Sequence, residues 1–168
     1  MTYGPEDTLP ADLPTEARAL SGRLDPGLGM HRMWLRIYYE DTDAAGIVYH
    51  ASYLRYAERA RTEMLRLVGV GQGALRDRHG IGFAVRSAEL DYRAPARLDD
   101  LLEVRSHCRS FSRVQLRITQ RILDASSGQE LVRVDVRVAC VDANTRPARL
   151  PRAVVDALSP LMQRREQD

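Results

Sequence analysis

From residue 33 onward the apolar and polar positions change period in a fixed order, and each period predicts an element. Met33-Trp34-Leu35-Arg36-Ile37-Tyr38-Tyr39 is rich in strand formers and runs into a polar loop. From about Ser52 to Val68, Tyr53, Tyr56, Ala57, Ala60, Met64, Leu67 and Val68 recur at spacings of three and four, the broad apolar stripe of an amphipathic helix. Gly69, Gly71 and Gly73 close that stripe as a helix stop does, and the small side chains of Ala57 and Ala60 predict close approach by whatever packs there.

Period-two alternation then takes over. It predicts strands at Phe83–Tyr92, Leu101–Phe111, Val114–Leu123 and Glu130–Val141. In the second of these Leu102, Val104, Ser106 and Cys108 share one face, with Glu103, Arg105, His107 and Arg109 on the other. In the third, Val114, Leu116, Ile118 and Ile122 oppose Gln115, Arg117, Thr119 and Arg121. In the last, Val132, Val134, Val136, Val138 and Cys140 oppose Arg133, Asp135 and Arg137. Such half-wet strands belong to an antiparallel sheet with one face covered, and the short connectors at 111–113 and 124–128 suit hairpins. A short helix is expected from Pro151 to about Leu158. Strand, one long helix, then four strands is an α+β order without βαβ alternation, so a sheet of about five strands has to curl around the helix to bury its stripe.

Composition narrows the class. The chain has 168 residues, enough for one domain with its own core, and no apolar run approaches the ~20 residues of a membrane span. All 25 basic residues are arginine, balanced by 23 acids to a net charge of +2, and most alternate with apolar or acidic neighbours, which argues against a nucleic-acid surface. Cys108 and Cys140 lie in phase with apolar strand positions and have no ligand spacing, so they read as buried free thiols in a reducing cytoplasm. Residues 1–29, with four prolines and scattered acids, read as a poorly ordered arm without the pattern of a signal peptide, with at most a helical turn near Thr15–Leu20. The domain expected is 33–160, between an arm at 1–32 and a tail at 161–168.

Candidate chemistry concentrates in Tyr38-Tyr39-Glu40-Asp41-Thr42-Asp43-Ala44-Ala45-Gly46-Ile47-Val48-Tyr49-His50. Asp41, Asp43 and Gly46 match the first positions of a calcium loop, but Ala45 and Ser52 stand where further ligands belong, and His50 alone fills no zinc set. Acids before a helix also cap it and suit its dipole. Asp43 fits that role and a catalytic one equally. What favours chemistry is the combination of an acid, a glycine and a histidine at a helix start, where free N–H groups suit a developing oxyanion.

Tyr39 through Tyr53, with Glu58-Arg59-Ala60-Arg61-Thr62-Glu63, resembles the signature of hotdog-fold acyl-CoA thioesterases related to 4-hydroxybenzoyl-CoA thioesterase, and within them the enzymes associated with the Tol-Pal system. Tyr92-Arg93-Ala94-Pro95-Ala96-Arg97-Leu98-Asp99-Asp100 and Thr119-Gln120-Arg121-Ile122 extend the resemblance over roughly residues 33–155. It implies a hotdog fold that hydrolyses acyl-CoA, with Asp43 as nucleophile or general base, His50 and Tyr39 beside it, and the His50 backbone N–H polarising the carbonyl. Gly46, Val48, Tyr49, Tyr53 and Glu58 are the implied substrate-binding positions, with no cofactor or metal. Glu58 and Glu63 are rival acids on the helix, although Glu58 with Arg61 and Arg59 with Glu63 stand at ion-pair spacing. The resemblance further implies a dimer or dimer-based tetramer with sites between chains and arginines for coenzyme A phosphates. An acyl carrier protein as the natural carrier, or a non-catalytic acyl-binding scaffold, are the alternatives.

Overall fold

The computed structural model describes residues 19–162. Its elements are β1 (Arg23–Asp25), β2 (Met30–Arg36), α1 (Ser52–Leu67), α2 (Gln72–His79), β3 (Ile81–Tyr92), β4 (Leu101–Phe111), β5 (Gln115–Asp124), β6 (Glu130–Asp142) and α3 (Arg152–Leu158). The strands form one antiparallel sheet in the order β1-β2-β4-β5-β6-β3, wrapped on α1 as the alternation requires. Ala57 and Ala60 of α1 are fully buried, and beside them the sheet contributes Val104, Ile122, Val132 and Val134. Met64 and Leu65 on the next turns pack with Cys108, Ile118, Val136 and Cys140 into the second half of the core.

A polar layer separates the two halves. Gln120, fully buried, donates from Nε2 to the Ala57 carbonyl at 2.9 Å and to Ser106 Oγ at 3.0 Å, while its Oε1 accepts from Arg61 Nη1 at 2.7 Å. Arg61 also pairs with Glu58. Every polar atom of Gln120 is thus satisfied, which is the condition for tolerating it inside. Both cysteines are free and buried, and burial pushes the Cys108 thiol up to about 12, so it is not a nucleophile at neutral pH.

The structure departs from the sequence reading in five places. First, the sheet has six strands among the described residues, because β1 pairs with β2 across a turn in which Leu28 N–H donates to the Asp25 carbonyl; the Pro26-Gly27 stretch read as arm is this hairpin's turn. The helical turn expected near Thr15 lies mainly outside the described residues. Second, α2 follows α1 directly. Gly71 precedes it, Gly73 lies within it, and only Leu75 is buried along it, so no apolar stripe announces it. Third, Glu103 and His107, placed on the wet face of β4, are only 4% and 8% exposed: Arg32 and Arg105 enclose Glu103, and the β1–β2 turn covers His107, whose Nδ1 bonds the Gly29 carbonyl at 2.9 Å. Fourth, Glu63 pairs with Arg66 and accepts from the Ser21 hydroxyl instead of meeting Arg59. Fifth, beyond α3, Leu161 is fully buried and Met162 bridges Cys108, so the first residues assigned to the tail close the core.

Two buried histidines give the hairpin a pH dependence. His31 Nε2 bonds the Ser21 carbonyl at 2.8 Å and its Nδ1 is buried without a partner among the described residues. Burial lowers the pKa of His31, against the opposing pull of the Ser21 carbonyl and Glu63. Burial also lowers that of His107, where Arg121, Arg109 and Arg105 act in the same direction. The folded state therefore holds fewer protons than the unfolded chain just below the ordinary value of about 6.5; this stability is complete above it and is lost as pH falls toward the depressed values. Tm is expected to drop between pH 7.5 and 5.5, and to drop less in His107→Gln, as thermal denaturation at the two pH values will measure.

Candidate active site

After β2 the chain makes a single 3-10 turn at Tyr39–Asp41 and doubles back before α1. Asp41 anchors the start: its carboxylate accepts Tyr38 N–H at 2.9 Å and its carbonyl accepts Tyr49 N–H at 2.8 Å, tying both ends of the loop together. Between these ends Thr42 bridges Val48, and Asp43 N–H donates to the Ile47 carbonyl at 2.9 Å. The tip is a turn in which Gly46 N–H donates to the Asp43 carbonyl at 2.9 Å, and Gly46 takes φ +72°, a value that strains any other residue. Asp43 sits on this tip, exposed. Its Oδ1 accepts Ala45 N–H at 2.8 Å, which fixes the carboxylate and leaves the second oxygen without a partner among the described residues.

The other end of the loop enters α1. Ser52 N–H donates to the Tyr49 carbonyl at 2.8 Å, turning that carbonyl into the helix start. In a trans peptide the N–H points opposite to the C=O, so the N–H of His50, in the same peptide plane, faces away from the helix. It makes no hydrogen bond among the described residues. A carboxylate and a free outward amide on one short loop are what acyl transfer needs: an acid or base for the nucleophile, and a donor for the oxyanion.

The expected site residues divide. Tyr39 is 82% exposed and Tyr49 is 45% exposed; the Tyr49 and His50 rings lie 4.3 Å apart. No hydrogen bond or ion pair joins Asp43 to His50 or Tyr39 within the chain. Val48 and Tyr53 are 3% and 2% exposed, so their side chains are part of the core, and the Tyr53 hydroxyl accepts Ala96 N–H at 3.0 Å. Glu58 lies on α1 in its ion pair with Arg61. The sequence pattern offered Asp41 only as a calcium-loop position or a cap, not as the anchor of the loop, and gave no place in the site to the 92–97 segment: Ala96 accepts Val48 N–H at 2.9 Å, Arg97 bridges Ile47, and the Tyr92 hydroxyl donates to the His50 carbonyl at 3.0 Å. The one signal for that segment was its place in the resemblance, since hydrogen bonds to loop carbonyls leave no periodicity.

Residues 38–158 match the Thioesterase-like superfamily. The acyl-CoA thioester hydrolase YbgC of Escherichia coli O6:H1 is 46% identical over 127 residues, covering 75% of this chain and 93% of that protein. The acyl-CoA thioesterase YbgC of Haemophilus influenzae is 40% identical over 121 residues, covering 71% and 88%. Among solved structures, a probable thioesterase from Bartonella henselae superposes with a TM-score of 0.69 at 34% identity, covering 73% of this chain and 99% of that one.

Proposed function

Because the chain belongs to the thioesterase-like superfamily, we propose that it hydrolyses acyl-CoA thioesters to a carboxylic acid and free coenzyme A, with Asp43 as the reacting carboxylate. The observation that carries this reading is the outward, unbonded N–H of His50 on the same loop as the free oxygen of Asp43. The thioester oxygen accepts that N–H, and charge developing on it is stabilised by a donor already held in place. Asp43 acts in one of two balanced ways. As a base it takes a proton from water while the water oxygen attacks the carbonyl carbon; the C–S bond then breaks and the thiolate takes a proton. As a nucleophile it attacks directly, expelling thiolate and forming a mixed anhydride that water cleaves to regenerate the carboxylate. The His50 imidazole, beside the amide, is suited to supply the proton the thiolate needs.

Exposure of Asp43, Tyr39, Tyr49 and His50 supports a site completed by a second copy, since oxyanion stabilisation gains strength where water is excluded. The surface for that copy is β3. It is 12 residues long and, among the described residues, pairs only with β6 and leaves its other edge unpaired, with Val85 51% exposed upon it. Edge-to-edge pairing of two β3 strands makes a homodimer. Light scattering is expected to give a dimer mass or a multiple of it, and Val85→Glu is expected to shift the chain toward monomer with loss of activity. A monomeric, fully active wild type contradicts the between-chain site.

A further inference from the structure

Three hydrogen bonds hold three successive peptide planes around His50. Tyr49 N–H donates to the Asp41 carbonyl at 2.8 Å, the Tyr49 carbonyl accepts Ser52 N–H at 2.8 Å, and the His50 carbonyl accepts the Tyr92 hydroxyl at 3.0 Å. The first two are made by backbone of the loop and helix start. The third is the only one made by a side chain, and it comes from a residue 42 positions away at the end of β3. No other donor among the described residues reaches the His50 carbonyl.

Tyr92 is itself held. Its ring meets the Tyr53 ring edge to face at 5.9 Å and 70°; the buried Tyr53 hydroxyl accepts Ala96 N–H at 3.0 Å, and the Ala96 carbonyl accepts Val48 N–H at 2.9 Å. The circuit runs from the loop through the 92–96 segment and returns to the loop on the far side of Tyr49. Removing the hydroxyl opens it at the peptide next to the free amide and leaves the ring packing in place.

We infer that Tyr92 is a positioning residue for the carbonyl-polarising amide of His50: its hydroxyl locks the His50–Ala51 peptide and thereby the direction of the neighbouring N–H. This rests on the proposal that the His50 amide serves thioester hydrolysis. Partial burial raises the pKa of the phenol, so the hydroxyl remains a donor through neutral and mildly alkaline pH. With the Tyr49 carbonyl still held by Ser52, loss of the Tyr92 hydroxyl loosens the donor from one side only; the added reorganisation at the moment of reaction falls on kcat rather than on substrate affinity.

The test is Tyr92→Phe, compared with wild type and Asp43→Asn on the acyl-CoA that wild type hydrolyses fastest. A direct oxyanion donor contributes about 10²–10³-fold to kcat, so loosening one should cost about 10-fold, with KM within about twofold. Tm and oligomer mass should stay at their wild-type values. A second readout isolates polarisation: the infrared carbonyl stretch of the same acyl-CoA, ¹³C-labelled at the thioester carbon, bound to Asp43→Asn. Adding Tyr92→Phe to that background should move the band to higher frequency, toward its position in water. If Asp43→Asn is inactive but Tyr92→Phe keeps wild-type kcat or leaves the band unmoved, Tyr92 does not position the amide. If wild type hydrolyses no acyl-CoA, or Asp43→Asn is as active as wild type, the reading beneath the inference fails and the inference falls with it.

Discussion

Replacing His50 by proline is expected to lower kcat about 10²–10³-fold, the range for losing one oxyanion donor, while His50→Ala causes a clearly smaller loss. The pair separates two roles of one residue. Alanine removes the imidazole and keeps the N–H that the Tyr49 carbonyl, held by Ser52, directs outward. Proline removes that N–H, and it does so just before α1, where its missing donor breaks no helix bond. Equal Tm and oligomer mass for the two variants would make the comparison one of chemistry. Equal losses in kcat would mean that the ring, not the amide, carries the effect.

The largest effect should come from Asp43→Asn. The loop's own bonds through Asp43 are made by its backbone N–H and carbonyl, which the substitution keeps, and an asparagine Oδ1 can still accept Ala45 N–H. The fold and the turn therefore persist, and what disappears is a carboxylate able to take a proton or attack carbon. Loss of a positioned general base costs about 10²–10⁴-fold, and loss of a nucleophile at least as much. KM should change little, because the second oxygen bonds nothing in the resting loop. Steady-state thiol release separates kcat from KM.

How far the sequence anticipates the molecule depends on whether a feature has a period. The stripe from Tyr53 to Leu67 and the alternation in β4, β5 and β6 are periodic, and the helix-in-sheet packing follows from them. Gln120 keeps the inward phase of β5 but is polar, so only its three partners explain why it is buried. The β1–β2 hairpin and α2 escaped because proline and glycine, read as breakers, here form a turn and flank a short helix with one buried side chain. At the site, acid, glycine and histidine are legible as residue types. The direction of the His50 N–H is not legible, since it depends on what holds the carbonyls of Tyr49 and His50 on either side of it. Nor is the Tyr92 hydroxyl, which looks like the end of a strand until the chain is folded.

Hydrolysis of acyl-CoA through Asp43 is read directly from the rate of free-thiol release from short, long and aromatic acyl-CoA thioesters by the wild-type oligomer, with matched acyl-carrier-protein thioesters and Asp43→Asn alongside. Wild type is expected to turn over at least one acyl-CoA, and Asp43→Asn to lose at least about 10²-fold at unchanged oligomer mass. Wild type that releases no thiol from any acyl-CoA, or Asp43→Asn that matches an active wild type, would contradict a thioesterase that works through Asp43.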